Sequence, residues 1–310
     1  MVESTIIFSC DVCESSDAIE VPYVKEYTGG QLVHICKGCG LVYVKKRRSY
    51  KEVADVWSNE LFGNPGTLLP NSYSALNAHV KSRLVYFAEF INEKVGLKNK
   101  KLCDIGAGEG HFFDLTNKMD AIAFGIEPSN RNCILLREKK IECFEGTIEE
   151  YKEHMDKTSR TYTPDIITLS FTLECTQNPA NTLHIANSIL EEGGLVAIHT
   201  GSRIMVPFKK PIYNFFSHVS MDSHPVQFSF NSLRGLLAKE GFKIIHVNPF
   251  IENDNLCVIA KKMPQGTLIL HEGDDYLQVA DFFERWHKES LYYRKISAHM
   301  DSIKNSKTAL

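Results

Sequence analysis

Four of the nine cysteines in this 310-residue chain occur as two CxxC pairs. The pairs are Cys10 with Cys13 and Cys36 with Cys39, and 22 residues separate them (36 − 13 − 1). Two such knuckles can bring four thiolates into tetrahedral geometry around one Zn²⁺, and four protein ligands would close the site to substrate. The same sulfurs could hold iron, whereas a disulfide framework is disfavoured in a reducing cytoplasm. The spacing therefore predicts a metal site with a structural role or a role in recognition, and we assign the metal to zinc.

Three glycines on alternate positions follow the apolar segment LCDI, namely Gly106, Gly108 and Gly110. A dinucleotide fingerprint, GxGxxG, would place its third glycine at position 111, where this chain has His111. Asp104 stands two residues before the first glycine, and a carboxylate there would repel a pyrophosphate. S-adenosylmethionine has an ammonium and a sulfonium in place of phosphates. The loop therefore favours S-adenosylmethionine over NAD as the cofactor.

Apolar stretches alternate with helix-length segments downstream of residue 98. These stretches span residues 101–105, 121–126, 141–144, 165–170 and 195–199. Two further runs, 242–250 (FKIIHVNPF) and 255–262 (NLCVIAKK), are too close in sequence for a helical crossover, so we expect an antiparallel hairpin. Around the cysteines, alternation predicts the short strands of a ribbon over residues 18–27, 31–36 and 41–46. The fold class is α/β, a doubly wound, seven-stranded, mostly parallel Rossmann-like sheet with a small N-terminal ribbon.

The glycine loop and the segment after it resemble two motifs of the class I S-adenosylmethionine-dependent methyltransferases. LCDIGAGEG at 102–110 is similar to the first motif and GIEPS at 125–129 to the second, and the resemblance extends over roughly residues 98–262. It implies that cofactor-binding residues lie in the glycine loop and at the ends of the next three strands. These residues are Asp104, Gly106, Ala107, Gly108, Gly110, Glu127, Pro128, Gly146, Thr147, Ile148, Ser170 and Phe171.

Within the second motif, the resemblance implies that Glu127 binds both ribose hydroxyls, because a carboxylate offers two acceptor oxygens to a vicinal diol. The alternative is a local role at the start of the helix that Pro128 and Ser129 signal. In the fourth-strand segment 164–179, Cys175 stands where many relatives have a histidine. We therefore expect Cys175 to be a small residue of the pocket or core, with the base elsewhere.

The segment MDSHPVQFSFNSLRGLLAKEGF at 221–242 is similar to a subgroup of these enzymes that carries an N-terminal zinc ribbon. That subgroup is associated with bacterial surface-polysaccharide and sugar biosynthesis. The resemblance therefore implies methyl transfer to a sugar, either free or linked to a carrier.

Methyl transfer to a hydroxyl would require a group that removes the acceptor proton. His224 is our first candidate for this catalytic role, followed by His199 and Tyr213, with His218 as a further histidine nearby. The aromatic-rich insertion 201–228, which contains three of these residues, is expected to form the acceptor wall or a lid.

With 43% hydrophobic and 24% charged residues, the composition is that of a globular chain able to bury one large core. The formal net charge of −3 gives no general basic field for nucleic acid, and the basic run KKRR at 45–48 is expected to be a solvated loop. No apolar run approaches the roughly 18 residues of a membrane span, and the N-terminus lacks a signal-peptide pattern. We therefore expect a cytoplasmic location.

These features divide the chain into a zinc ribbon (1–48), a connecting helical region or lid (49–97), a cofactor-binding domain (98–262) and a C-terminal helical extension (263–310). An amphipathic helix in the extension would pack on the domain or on a second subunit, which leaves a homodimer open. Two alternative functions also stay open. One is an RNA methyltransferase whose ribbon binds nucleic acid, and the other is a non-catalytic module that binds the cofactor.

Overall fold

The structure is a computed structural model, and it describes residues 6–21, 23–56, 78–158, 162–201, 203–207, 210–217, 224–249, 255–267 and 272–307. The strands are β1 (Ile6–Ile7), β2 (Ala18–Glu20), β3 (His34–Cys36), β4 (Val42–Tyr43), β5 (Lys46–Arg47), β6 (Lys101–Ile105), β7 (Ile122–Glu127), β8 (Glu142–Glu145), β9 (Ile166–Ser170), β10 (Leu195–Thr200), β11 (Val226–Gln227), β12 (Phe242–Val247) and β13 (Leu256–Lys262). The helices are α1 (Tyr50–Val56), α2 (Ala78–Val95), α3 (Phe113–Thr116), α4 (Asn130–Glu138), α5 (Ile148–Thr158), α6 (Pro179–Ile189), α7 (Ile212–Ser217), α8 (Phe230–Lys239) and α9 (Tyr276–Lys307).

Seven strands form the central sheet in the order β12-β13-β10-β9-β6-β7-β8. Five of them, from β6 to β10, are parallel, while β13 runs antiparallel to both β10 and β12. The predicted fold class is therefore confirmed, and each predicted parallel strand lies within one residue of its observed ends. The strand order reverses between β6 and β9, which is where open α/β sheets bind ligands.

Alternate residues of β6 face opposite sides of the sheet, as the two-residue period of a strand requires. Leu102 packs with Phe87 of α2 and Leu136 of α4 on one side. Cys103 packs with Tyr151 of α5 on the other side, in a cluster that α6 and α8 also join. The buried strands are thus covered by helices on both faces.

The cysteine region forms a second, four-stranded sheet in the order β11-β4-β3-β2. The prediction of a strand over 18–27 is wrong beyond Glu20, because Val24–Glu26 forms a 3₁₀ turn. The proline at position 22 has no N–H to donate to a neighbouring strand. The edge strand β11 comes from the insertion 201–228, so this sheet contains residues from two distant parts of the chain.

The basic run at 45–48 is only partly a solvated loop. Lys46 is exposed, but Arg47 is 1% exposed and is among the largest fully buried side chains. The prediction is therefore wrong for Arg47, because a charged run on a short strand still presents alternate side chains to the interior.

Helix α9 packs its first half on the cysteine region. Val279, Phe283 and Trp286 join a hydrophobic cluster with Val24 and Ile35. The second half of α9 is exposed from residue 291 to residue 300. In the part of the chain that the structure describes, no helix has both the length and the hydrophobicity needed to cross a bilayer.

Candidate functional site

A cavity of about 520 Å³ lies beyond the carboxyl ends of the parallel strands, at the point where the strand order reverses. We call its inner half the part that is lined by the glycine loop after β6, the ends of β7 and β9, and residues 146–148 after β8. We call its outer half the part that is lined by residues of α1 and α2, Phe112, residues 175–177 and His224. The volume is in the range of small-molecule sites.

The glycine loop gives the cavity one wall of bare backbone. Gly106 has φ +75°, and a Cβ there would lie 2.6 Å from the Thr172 hydroxyl, so a larger residue would not fit. Gly108 has φ +56° and no atom within 4 Å of the place of a Cβ. Because Gly108 lines the cavity, its missing side chain leaves room for a ligand to approach the backbone.

Glu127 ends β7 and holds its carboxylate in the cavity through backbone hydrogen bonds. The Gly108 N–H donates to Oε2 at 2.7 Å and the Ser129 N–H donates to Oε1 at 2.8 Å. Burial raises the pKa of Glu127, while these hydrogen bonds act in the opposite direction. Ser129 caps α4 with its own side chain, so Glu127 is not needed as the cap. Oε2 keeps a further lone pair for a ligand hydroxyl.

Asp104 lies on β6 beside the glycine loop, 2% exposed, and also lines the cavity. The Thr168 hydroxyl donates to its Oδ1 at 2.6 Å. Burial raises the pKa of Asp104 to about 7, the hydrogen bond from Thr168 acts against that rise, and the charge of Glu127 adds to it. A cationic ligand group beside Asp104 would favour the ionised form.

The structure brings eleven of the twelve predicted cofactor residues together around this cavity. They are Asp104, Gly106, Ala107, Gly108, Glu127, Pro128, Gly146, Thr147, Ile148, Ser170 and Phe171. Gly110 is not among the lining residues. A Cβ on Gly110 would lie 2.7 Å from Leu136, so this glycine allows α4 to pack closely against the loop. The binding roles of the twelve residues stay predictions.

The outer wall brings a thiol and an imidazole together. The Cys175 Sγ lies 3.6 Å from the His224 Nε2, and both residues line the cavity. Burial raises the pKa of the Cys175 thiol well above its ordinary value and lowers the pKa of His224 to about 4. Both groups are therefore neutral at pH 7, and the imidazole can accept a proton.

Two of the other candidate bases, His199 and Tyr213, are not among the residues that line the cavity. His199 is fully buried on β10, with Asn255 within hydrogen-bond distance of Nε2 and Ser170 of Nδ1, and burial lowers its pKa to about 3. Tyr213 lies on α7, with its ring 4.6 Å from the guanidinium carbon of Arg294. His218 lies outside the described residues. Among the described candidates, His224 is the one that faces the cavity.

Helices α1 and α2 contribute cavity residues that no sequence motif marked as part of a binding site. They are Tyr50, Val53, Ala54, Val80, Arg83 and Leu84. These helices belong to the region 49–97, for which the sequence predicts a connecting helical region or a lid, and residues 57–77 of that region lie outside the described ranges. Helical periodicity marks an apolar face without showing whether that face meets a cavity or a core.

The four predicted metal ligands form a compact cluster. Sγ distances are 3.4 Å between Cys10 and Cys39 and 3.4 Å between Cys13 and Cys36, and all four sulfurs lie within 4.8 Å of one another. Thiolates about 2.3 Å from a tetrahedral Zn²⁺ would lie about 3.8 Å apart. The cluster therefore has the ligand number and spacing of a structural metal site.

The strand order, the glycine loop and the acidic residue that ends β7 together define the class I methyltransferase fold. Residues 76–247 match the family described as "Methyltransferase domain", and this stretch is more than half of the chain. The chain therefore belongs to the methyltransferase-domain family.

Similar proteins differ in the molecules that their names mention. The ubiquinone biosynthesis O-methyltransferase of Glaesserella parasuis serovar 5 (strain SH0165) is 30% identical over 122 residues, which is 37% of this chain and 51% of the relative. The chain thus spans about half the length of that curated relative. The structure of a 1,6-didemethyltoxoflavin-N1-methyltransferase from Burkholderia thailandensis has a TM-score of 0.50 at 11% identity, covering 72% of this chain and 96% of that one.

The structure of a magnesium protoporphyrin IX methyltransferase from Synechocystis PCC 6803 with bound S-adenosylhomocysteine (SAH) has a TM-score of 0.49 at 12% identity. That match covers 68% of this chain and 99% of the other. At 11% identity, the likeness to the toxoflavin enzyme shows the fold alone.

Proposed function

We propose that the chain transfers a methyl group from S-adenosylmethionine to an oxygen atom of a small-molecule acceptor. The observation that carries this proposal is one cavity whose inner half holds the glycine loop and Glu127 and whose outer half holds His224. A cofactor bound in the inner half would have its reactive end near the neutral imidazole. The word O-methyltransferase in the name of the curated relative also supports an oxygen acceptor.

When bound, S-adenosylmethionine supplies a methyl carbon that the sulfonium activates for displacement. Glu127 would hold the ribose hydroxyls, and Asp104 would face the ammonium of the amino-acid end. The acceptor oxygen would displace the sulfonium sulfur at this carbon, so that the products would be the methylated acceptor and SAH. The acceptor proton passes to the His224 imidazole, which can accept it because burial keeps that ring neutral at pH 7.

The lining of the outer half favours an acceptor with an apolar or aromatic ring that carries a hydroxyl. Val53, Val80, Leu84 and Phe112 present hydrocarbon surface, and Tyr50 adds an aromatic side chain at the rim. Burial of such a ring would contribute roughly 25 cal/mol per Å² of apolar surface. A sugar, free or linked to a carrier, is the second candidate, because the four-cysteine region and the segment 221–242 favour the sugar-modifying subgroup.

We also propose that Cys10, Cys13, Cys36 and Cys39 hold Zn²⁺ in a structural site. The spacing of their sulfurs supports this assignment. Hydrogen bonds from Cys10 and Cys39 lower the pKa of the Cys36 thiol, which favours the thiolate form that binds a metal. The metal content of the purified protein, measured by mass spectrometry, distinguishes zinc from iron.

The proposed activity is tested with labelled S-adenosylmethionine against hydroxylated benzoates and nucleotide-linked sugars. Replacing His224 with Gln should lower kcat by about 10²–10⁴-fold with the accepted substrate, since general base catalysis contributes about that much. SAH affinity should not change in that variant. A His224→Gln enzyme with the kcat of the natural sequence would show that the base lies elsewhere.

The remaining predictions concern location, partners and boundaries. We propose a cytoplasmic protein whose partner is the acceptor, with the region boundaries given above. A homodimer through α9 is supported by the exposed Tyr292, Tyr293, Ile296 and Met300. Sedimentation equilibrium measures the mass in solution, and a monomer at every concentration would exclude the dimer.

A further inference from the structure

Arg47 joins the cysteine region to the loop after β9. Its Nη1 and Nη2 donate to the two carboxylate oxygens of Asp11, at 3.2 and 2.7 Å. Nη1 also donates to the Gln177 carbonyl at 2.7 Å, and Nε donates to the Val44 carbonyl at 2.7 Å. Both Arg47 and Asp11 are buried, so this pair is shielded from solvent.

The two ends of this connection have different roles. Asp11 lies between Cys10 and Cys13, inside the first metal-binding knuckle. Gln177 follows Cys175 and Thr176, and all three residues line the cavity. Together with His224, these residues form the part of the lining that we call the acceptor wall. The Arg47 guanidinium therefore bonds directly to one residue of the first cysteine pair's loop and to one residue of the acceptor wall.

A second connection reaches the opposite part of the same wall. Strand β4 pairs antiparallel with β11, so that Val226 lies opposite Tyr43. The Val44 N–H also donates to the Pro225 carbonyl at 2.8 Å. His224 immediately precedes Pro225 and this strand, and its imidazole lies 3.6 Å from the Cys175 sulfur. The backbone on either side of the thiol–imidazole contact is thus bonded to the cysteine region.

Shared packing reinforces both connections. Cys10, Cys39 and Tyr43 belong to the same hydrophobic cluster as Leu173 and Val226. Leu173 begins the 3₁₀ turn that carries Cys175, and Val226 begins β11. A close-packed interior transmits displacement, so a disordered knuckle would disturb both elements.

We propose that the cysteine region acts as the frame of the acceptor wall, with Arg47 as the residue that positions the loop 175–177. The inference rests on the proposed function, since it gives this wall the task of holding an acceptor next to His224. According to this inference, the four-cysteine cluster helps to position the acceptor, in addition to stabilising the fold of the ribbon. The glycine loop and Glu127 stand outside both connections, so cofactor affinity should not depend on Arg47.

The test compares cysteine reactivity with SAH affinity in the full-length protein. The double variant Asp11→Asn with Arg47→Met removes both charges together, which avoids leaving one of them buried without a partner. Iodoacetamide labelling of SAH-saturated protein, followed by peptide mass spectrometry, gives a rate for each cysteine. Lys239→Met is the matched control, because Lys239 donates to the Asp11 carbonyl and pairs with Glu14 on the solvent side of the same knuckle.

We expect the Cys175 labelling rate to rise about tenfold in the double variant, because thiol reactivity follows access and thiolate fraction. The calorimetric Kd for SAH should stay within about threefold of that of the natural sequence. Cys103, which is buried in the core of the sheet, should stay protected and so report an intact fold. Lys239→Met should label like the natural sequence. An unchanged Cys175 rate in a double variant that binds SAH would overturn the inference.

If the double variant does not fold, iodoacetamide should label Cys103 and the protein should not bind SAH. In that case, the variant Arg47→Lys tests the inference. Lysine keeps the positive charge beside Asp11, but it lacks the several N–H donors with which the guanidinium bonds to the Asp11 carboxylate and the Gln177 carbonyl at the same time. An increased Cys175 rate in this variant supports the inference, and an unchanged rate with normal SAH binding overturns it. If the natural sequence itself fails to bind SAH, the proposed function falls, and that result is distinct from a failure of this inference.

Discussion

The carboxylates of Glu127 and Asp104 face the same cavity but are held in different ways. Glu127 accepts two backbone N–H groups, whereas Asp104 accepts one threonine hydroxyl. Burial raises the pKa of Asp104 to about 7, and the single hydrogen bond from Thr168 acts against that rise. At neutral pH this carboxyl is close to its midpoint, so a small change in pH alters its charge.

The affinity for SAH should therefore depend on pH through Asp104. The ammonium of the ligand favours the carboxylate, and below pH 7 the free protein binds a proton that the ligand must displace. We expect the affinity to be full above about pH 8, to be about half of that value at pH 7, and to fall about fivefold between pH 7 and pH 6. Calorimetry across this range measures the change. Asp104→Asn should bind more weakly and lose the pH dependence, and a variant with the same pH dependence would assign it to another group.

At the scale of residues, local sequence patterns were sufficient to predict which residues line the inner half of the cavity. The glycine loop comes directly after β6, and Glu127 is the last residue of β7, about 20 positions further along the chain. The outer half depends on residues that approach from distant segments, such as Tyr50, Arg83 and Gln177. Their positions follow from tertiary packing, and the burial of Arg47 against Gln177 has no signal in a run that reads KKRR.

Helix α9 is the element that holds the cysteine region from outside. Phe283 is fully buried in its first half, next to Phe216 and Trp286. Tyr293 is 58% exposed further along the same helix. The two halves should therefore respond differently to the loss of an aromatic ring.

Phe283→Ala should lower the free energy of unfolding by about 3–5 kcal/mol, the usual cost of removing a buried phenylalanine. Tyr293→Ala, the control on the exposed half, should change it by less than about 0.5 kcal/mol. Urea denaturation followed by circular dichroism measures both values. A Tyr293→Ala loss as large as that of Phe283→Ala would mean that the exposed half is covered, as in a dimer.

At the scale of elements, the seven-stranded sheet could be predicted because long strands alternate with long helices. Strand β11 could not, because two residues carry no periodic signal. Its pairing with β4 depends on a contact between residues about 180 positions apart in sequence (226 − 43 = 183). The strand begins two residues after His224. The missed element is therefore the one that positions the candidate base.

At the scale of the whole molecule, the cysteine region and the main sheet share one hydrophobic cluster. We therefore expect one cooperative unfolding transition for the metal-loaded protein, in place of two separate ones. If the four cysteines hold zinc as proposed, a chelator should lower the midpoint by about 10 °C or more, because a structural zinc contributes directly to folding. Differential scanning calorimetry measures both quantities. A main transition that stays in place while a small one disappears would show that the ribbon folds independently.

The central claim is that the inner half of the cavity binds the methyl donor, and calorimetric titration with SAH tests it most directly. We predict micromolar binding by the natural sequence, no binding of NAD, and a loss of about tenfold to a hundredfold in affinity for Glu127→Ala, the range for hydrogen bonds to a charged group. Binding of NAD in place of SAH, or full SAH affinity in Glu127→Ala, would contradict the account.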